Sequence, residues 1–222
     1  MNDFFKRNCA FLSGVTLVLV AMIIALCVVP KAQLHLALNA YHTPFLDGFF
    51  RIYTQFVQWP VYLLMLLPLF VHRPAWTALF AAAEIASVFV IQILKHIFNM
   101  PRPLTYFTSL KDSHPDLFEA WQQTLVEGVN LHSWHSFPSG HTATFFIFFA
   151  VCALLYSHHN YPHKQLVGIL CLVLALIGGY SRIYLSQHFL LDVCVGMAEA
   201  TLMSCLIFIL FQHKNIRSKL AV

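Results

Sequence analysis

Charge is what this chain has least of. Nine acidic and thirteen basic residues in 222 leave charged side chains at 10% of the sequence, against 59% hydrophobic. A soluble domain carries about 25% charged residues, so this composition, with a mean hydropathy of +0.70, excludes a water-clothed globule and calls for an integral membrane protein. Cysteine is missing where a disulfide framework would need it. Cys9, Cys27, Cys152, Cys171, Cys194 and Cys205 lie in or beside apolar runs, and none falls in the long polar stretch from Pro101 to Phe137; they read as small apolar packing residues. A cleavable leader is also not indicated. Lys6 and Arg7 precede the first apolar run, but no Ala-x-Ala site comes before Pro30 and the run exceeds a signal core, so it reads as a retained span.

What is there is a series of membrane-length runs. A bilayer core needs about 17 to 25 apolar helical residues per crossing. Six windows qualify, at about Ala10–Val29, Gln55–Val71, Ala75–Leu94, His141–Ser157, Leu166–Tyr180 and His188–Phe211. The second carries Pro60 and Pro68, which a packed membrane helix tolerates. The expected fold is all-α: a six-transmembrane-helix bundle forming one membrane-embedded domain over residues 1–222. A loop lid on the outer face and a short interfacial helix within Lys31–Phe50 complete it.

Basic residues set the expected orientation. Lys6, Arg7, Arg73, Lys164, Lys214, Arg217 and Lys219 fall on one face; Lys31, Arg51, Lys95, Arg102, Lys111 and Arg182 fall on the other. Three of the latter, Lys95, Arg102 and Arg182, belong to polar clusters, so the orienting count is seven against three. Both termini are therefore expected in the cytoplasm. Asp112, Asp116, Glu119 and Glu127 then lie in the outer loop, and only Asp3 inside. The net charge of +4 follows from this bias and calls for no nucleic acid.

Three polar clusters interrupt the apolar runs, all on the expected outer face. In the first, Lys95 ends a span and Arg102 follows, held between Pro101 and Pro103, which stiffen the turn. In the second, Pro138-Ser139-Gly140-His141 opens a span, placing Ser139 or Gly140 near an N-cap with free amides that favour an anion. In the third, Ser181-Arg182 closes a span, and His188 and Asp192 open the next at a spacing of four, which stacks them on one helical face. Asp192 can then fix the tautomer of His188 and leave its other nitrogen free as a nucleophile. The clusters hold one carboxylate among three cations, too few acids for the carboxylate-rich shell of a divalent-metal centre. His132 with His135, and His158 with His159 and His163, read as loop and interfacial histidines.

The runs Lys95-x6-Arg102-Pro103, Pro138-Ser139-Gly140-His141 and Ser181-Arg182-x5-His188-x3-Asp192 resemble, in order and spacing, the three-part signature of the type-2 phosphatidic acid phosphatase and vanadium haloperoxidase superfamily. The resemblance covers Lys95 to Asp192, and the six-span layout extends it to the membrane lipid phosphatase branch. It implies that His188 attacks phosphorus, Asp192 orients it and His141 protonates the leaving group. It also implies a phosphate cradle of Lys95, Arg102, Arg182, Ser139 and the Gly140 amide, with no metal and no other cofactor. The implied partners are a phospholipid or polyprenyl phosphate substrate and membrane lipids, with no obligate protein partner. Candidate substrates are undecaprenyl diphosphate, phosphatidylglycerol phosphate, phosphatidic acid and lipid A phosphates. The expected location is a bacterial inner membrane with the site on the periplasmic side. A lipid phosphotransferase could use the same site. A transporter fits less well, because the charges gather at one rim, and a haloperoxidase is disfavoured by the six spans.

Two glutamates stand apart. Glu84 lies eleven residues before Lys95, and Glu199 eleven after His188, which puts both about 16 Å below the clusters at 1.5 Å per residue. They are expected to be neutral, hydrogen-bonded and concerned with helix packing. The outer loop, with Trp121, Trp134 and a short helix near Asp116–Val126, is expected to form the lid and select the headgroup.

Overall fold

A computed structural model describes residues 2–220, with side chains from Asp3 to His213; the basic side chains of Lys214, Arg217 and Lys219 lie outside them. The regular elements among the described residues are all helices: α1 (Asn2–Arg7), α2 (Cys9–Val28), α3 (Lys31–Leu38), α4 (Pro44–Tyr53), α5 (Trp59–His72), α6 (Pro74–Phe98), α7 (Pro103–Ser109), α8 (Pro115–Gln122), α9 (Gly140–His158), α10 (Lys164–Tyr184) and α11 (Leu190–Leu220), with a 3-10 turn at Thr54–Val57.

Among the described residues five stretches are long and apolar enough to cross a bilayer, and a bent pair, Pro44–Val57 and Trp59–His72 meeting at 60°, makes a sixth when counted as one span. The break falls where the sequence suggested a continuous span from Gln55. Gln58 is extended, at φ −70° and ψ 137°, and Pro60 sits in the first turn of α5, so the helix restarts there instead of running through. Pro68 is carried inside α5. The interfacial segment likewise divides. Pro44 opens α4 while the Thr43 hydroxyl accepts from Leu46 N–H at 3.2 Å, so Lys31–Phe50 forms two helices instead of one.

The core forms around α9, which packs on α6, α10 and α11. Its Phe146, Ile147, Ala150, Val151 and Leu154 are fully buried, and Leu79, Phe80, Ala83 and Met197 close around them. A Cβ at Gly178 of α10 would fall on the Phe145 ring, so only glycine lets α9 and α10 approach this closely. The outward faces carry Leu17, Ile24, Leu64, Phe70, Phe89 and Leu202 in the open. In water such surfaces would drive association; around a bundle whose backbone bonds are satisfied within each helix they suit lipid.

Between α6 and α9 the chain covers one end of the bundle. α7 and α8 hold a small core there: Phe107 and Trp121 against Phe189 and Ala32. α8 accounts for the short helix expected near Asp116, whereas α7 was not anticipated.

Candidate active site

Each cluster is placed by a helix end. Asn99 closes α6 in the left-handed region (φ 38°, ψ 48°), a conformation asparagine tolerates, and donates its N–H to Lys95 O at 3.0 Å. The chain then turns so that Arg102 precedes α7 and Pro103 occupies its first position. Residues 133–136 run alongside: Arg102 N–H donates to Ser133 O at 2.9 Å and Ser136 N–H to Met100 O at 3.0 Å. The two cations are held by the same strip, Lys95 Nζ on His135 O at 2.9 Å and Arg102 Nε on Trp134 O at 3.0 Å.

Ser139 caps α9. Its hydroxyl accepts from Thr142 Oγ1 at 2.9 Å and, more weakly, from Thr142 N–H at 3.4 Å. Its own N–H donates to the Asp192 main-chain oxygen at 3.0 Å, which joins the second cluster to the third. Gly196, one turn along α11, makes this possible, because a Cβ there would lie 2.7 Å from the Ser139 carbonyl.

The third cluster differs in one respect from its sequence reading. α11 begins at Leu190, so His188 precedes the helix instead of standing on its face. The contact with Asp192 is still made, His188 Nδ1 to Asp192 Oδ2 at 3.3 Å, because Asp192 folds back over the helix start and accepts the Phe189 N–H at 2.9 Å. Arg182, in the last turn of α10, supports the loop with its carbonyl, which accepts from Gln187 N–H at 3.0 Å and His188 N–H at 3.1 Å. Both members of the pair are buried, at 1% and 2% exposure.

Ser136 and Thr54 are site residues that the sequence did not announce. Ser136 donates to Asp192 Oδ2, and its oxygen stands 3.5 Å from His188 Nδ1. The Thr54 hydroxyl receives the Arg182 guanidinium. Neither has a spacing signal: Ser136 lies just upstream of the Pro-Ser-Gly-His run, and Thr54 is 128 residues from its partner.

Two cavities meet at these residues. One, of about 310 Å³, is lined by Lys95, Arg102, Gly140, His141 and His188 and descends to Glu84, Ser87 and Thr144. The other, of about 390 Å³, is lined by Arg51, Thr54, Arg102, His132, His141 and Arg182. Arg102 and His141 border both. His132, read from sequence as a loop residue, thus faces the site. At the deep end Thr144 donates to Glu84 Oε1 and Ser87 to Glu199 Oε2, each at 2.6 Å, linking α6 to α9 and α11.

The electrostatics are one-sided. Among the described residues, Lys95, Arg102 and Arg182 enter no ion pair, and no group of three His, Cys, Asp or Glu side chains is placed to hold a metal. Burial pushes the His188 imidazole down to about 3, with Arg102 and Arg182 adding to the effect and Asp192 opposing it. His132 is lowered by burial and then by Arg102, Arg182 and Lys95. The arrangement offers a neutral imidazole whose Nδ1 faces a carboxylate, leaving Nε2 unprotonated, beside three uncompensated cations. Such a site can seat a tetrahedral oxyanion and attack it.

The PAP2 superfamily model matches residues 75–216 of the chain. The chain is 28% identical over 189 residues to a lipid A 4'-phosphatase of Porphyromonas gingivalis, covering 84% of this chain and 75% of that protein. The crystal structure of Aquifex aeolicus LpxE matches with a TM-score of 0.60 at 29% identity, over 80% of this chain and 93% of that one. That of a transmembrane PAP2-type phosphatidylglycerolphosphate phosphatase from Bacillus subtilis matches at 0.61 and 20% identity over 97% of both, a likeness of fold.

Proposed function

The chain belongs to the PAP2 superfamily of membrane lipid phosphatases, and from that membership we propose that it hydrolyses a phosphomonoester or diphosphate of a membrane lipid through a phosphohistidine on His188. The observation that carries the reading is a set of three cations, without ion-pair partners among the described residues, around a buried histidine whose Nδ1 meets a carboxylate. In the first step His188 Nε2 bonds to phosphorus, the bond from phosphorus to the leaving oxygen breaks, and His141 supplies the proton that oxygen takes up. In the second, water attacks the phosphohistidine, gives a proton to His141 and releases inorganic phosphate. Lys95, Arg102, Arg182, Ser139 and the Gly140 amide hold the equatorial oxygens, a type of stabilisation worth about 2.7 to 4 kcal/mol per donor. The donor set is cationic where a divalent-metal centre is carboxylate-rich, so the cations take the charge-stabilising part. The substrate is an amphiphile of the class that the relatives' names describe, a lipid A phosphate or phosphatidylglycerol phosphate, with phosphatidic acid and undecaprenyl diphosphate as further candidates. By the basic-residue bias, the termini are cytoplasmic and the site is extracytoplasmic.

The test is phosphate release from a panel of these lipids by detergent-purified protein in the presence of a chelator, beside His188→Ala. Activity that survives chelation and vanishes in the variant supports the reading. Release that depends on added metal, or persists without His188, refutes it.

A further inference from the structure

The segment covering the site is tied to the loop that carries His188 by buried hydrogen bonds that the reaction does not use. Trp121 of α8 is 2% exposed, and its ring stacks on Phe107 at 5.3 Å with planes 4° apart. Its Nε1 donates to Ser186 Oγ at 2.6 Å. Ser186 lies two residues before His188, is buried, and has a φ of 52°, a left-handed backbone that a residue with a Cβ adopts at a cost. The same oxygen stands 3.0 Å from Nε2 of His35, on α3. Asn39 Nδ2 donates to Ile183 O at 2.9 Å and lies 3.3 Å from that same His35 nitrogen.

Two donors fix the direction of the chain. Trp Nε1–H can only donate, so Ser186 Oγ accepts there; the Asn39 Nδ2 amide, also a donor, faces His35 Nε2 and makes that nitrogen an acceptor, so Ser186 sends its own proton to it. His35 is thereby held with its proton on Nδ1, an atom buried without a partner among the described residues. Burial pushes this imidazole down to about 4, which keeps it neutral. Packing alone does not explain the arrangement, since an imidazole, a carboxamide and a left-handed serine are costlier to bury than apolar groups of equal volume. The loop's own amides bond close by in sequence, Leu185 to Ser181, Ser186 to Ile183, and Gln187 and His188 both to Arg182, so its ties to the covering segment are made through side chains, Trp121 to Ser186 and Gln187 to the Asn130 carbonyl among them.

We propose that Trp121, Ser186 and His35 are positioning residues for the nucleophile, so that the covering segment and His188 are set in place as one unit. The proposal rests on His188 as the attacking group. It makes the cover part of the catalytic geometry as well as a roof over the substrate.

Trp121→Phe tests it, because the ring and its stack on Phe107 remain while one donor is lost. Turnover at saturating lipid should fall about ten- to hundredfold, the lower figure for one lost hydrogen bond and the upper for a displacement of about 1 Å. KM should stay within about threefold, and phosphohistidine formation in a single turnover should slow in parallel. Ser186→Gly removes the hydroxyl while relieving the left-handed backbone, so it should lose turnover and keep its thermal midpoint. His35→Gln, which retains an acceptor, should keep most of the rate that His35→Leu loses. Unchanged turnover in both Trp121→Phe and Ser186→Gly, or losses that merely follow thermal stability, would overturn the proposal. Amide hydrogen exchange at Gln187 and His188 needs no substrate and should quicken in Trp121→Phe; unchanged exchange also overturns the proposal. Wild-type protein that releases phosphate from no lipid refutes the phosphatase reading instead, leaving the exchange result to stand on its own.

Discussion

Adding a single methyl group at Gly196 should disable the site without touching a charged residue. The alanine Cβ would lie 2.7 Å from the Ser139 carbonyl oxygen and 3.4 Å from Thr142 Cβ. Reaching ordinary contact with that oxygen requires a shift of 0.7 Å, and even the tightest tolerable approach needs 0.3 Å. The obstacle is backbone at the start of α9, so no side-chain rotation can absorb it. Either α11 moves away, stretching the 3.0 Å bond from Ser139 N–H to Asp192 O, or the cap turn unwinds and carries the Gly140 amide off the proposed phosphate seat. Overpacking of this kind costs about 1 to 3 kcal/mol of stability. A misplacement of a large fraction of an ångström in a site where about 1 Å is worth a hundredfold should lower turnover about tenfold or more. The measurements are thermal unfolding in detergent and phosphate release at saturating lipid, with Gly48→Ala as control. No atom lies within 4 Å of a Cβ at Gly48, and alanine in that helix interior should be neutral or stabilising by about 0.5 to 1 kcal/mol. Wild-type turnover and thermal midpoint in Gly196→Ala would refute the claim that the contact between α9 and α11 sets the phosphate seat.

Other outcomes follow from the same geometry. Ser136→Ala removes the hydroxyl that donates to Asp192 and should cut turnover about tenfold or more, with little change in KM; an unaltered rate would make Ser136 a bystander. His188 should remain neutral in the free protein at pH 5, since its folded value lies far below the ordinary 6.5. The stability that the neutral ring contributes is present above 6.5 and is lost as pH falls towards about 3. Ring ¹⁵N shifts would check this, and a midpoint near 6.5 would contradict it. The paired Glu84→Gln and Glu199→Gln replacement keeps acceptors for Thr144 and Ser87, so it should fold and release phosphate at a rate near that of the wild type. Loss of phosphate release in protein of normal stability would give these carboxylates a part in the reaction.

The helices were legible because apolar run length is a strong signal. The three clusters were legible because their residues sit at helix ends, where spacing translates directly into position. Less local features escaped. Pro60 gives the same sequence cue whether a span continues through it or restarts at it; the structure has the restart, with Gln58 extended and a 60° bend. Ser136 and Thr54 contact the site through folds of the chain that no periodicity reports. His188 was read onto a helix face because a spacing of four fits one; in fact Asp192 reaches back over the helix start, and the pair meets by a different route. Trp121 stood out as a lid residue, but its bond to Ser186 spans 65 positions.

The bend before α5 bears on how a substrate arrives. Within one short stretch, Thr54, Gln55 and Gln58 border the polar cavity, while Tyr53, Phe56 and Val57 border an apolar groove with Phe145 and Phe148. A molecule with its polar end in the first and its chain in the second never has to enter water. Catalysis by such a protein should obey surface-dilution kinetics: at constant bulk lipid, added inert detergent should slow it in proportion to the falling mole fraction of substrate in the film around it.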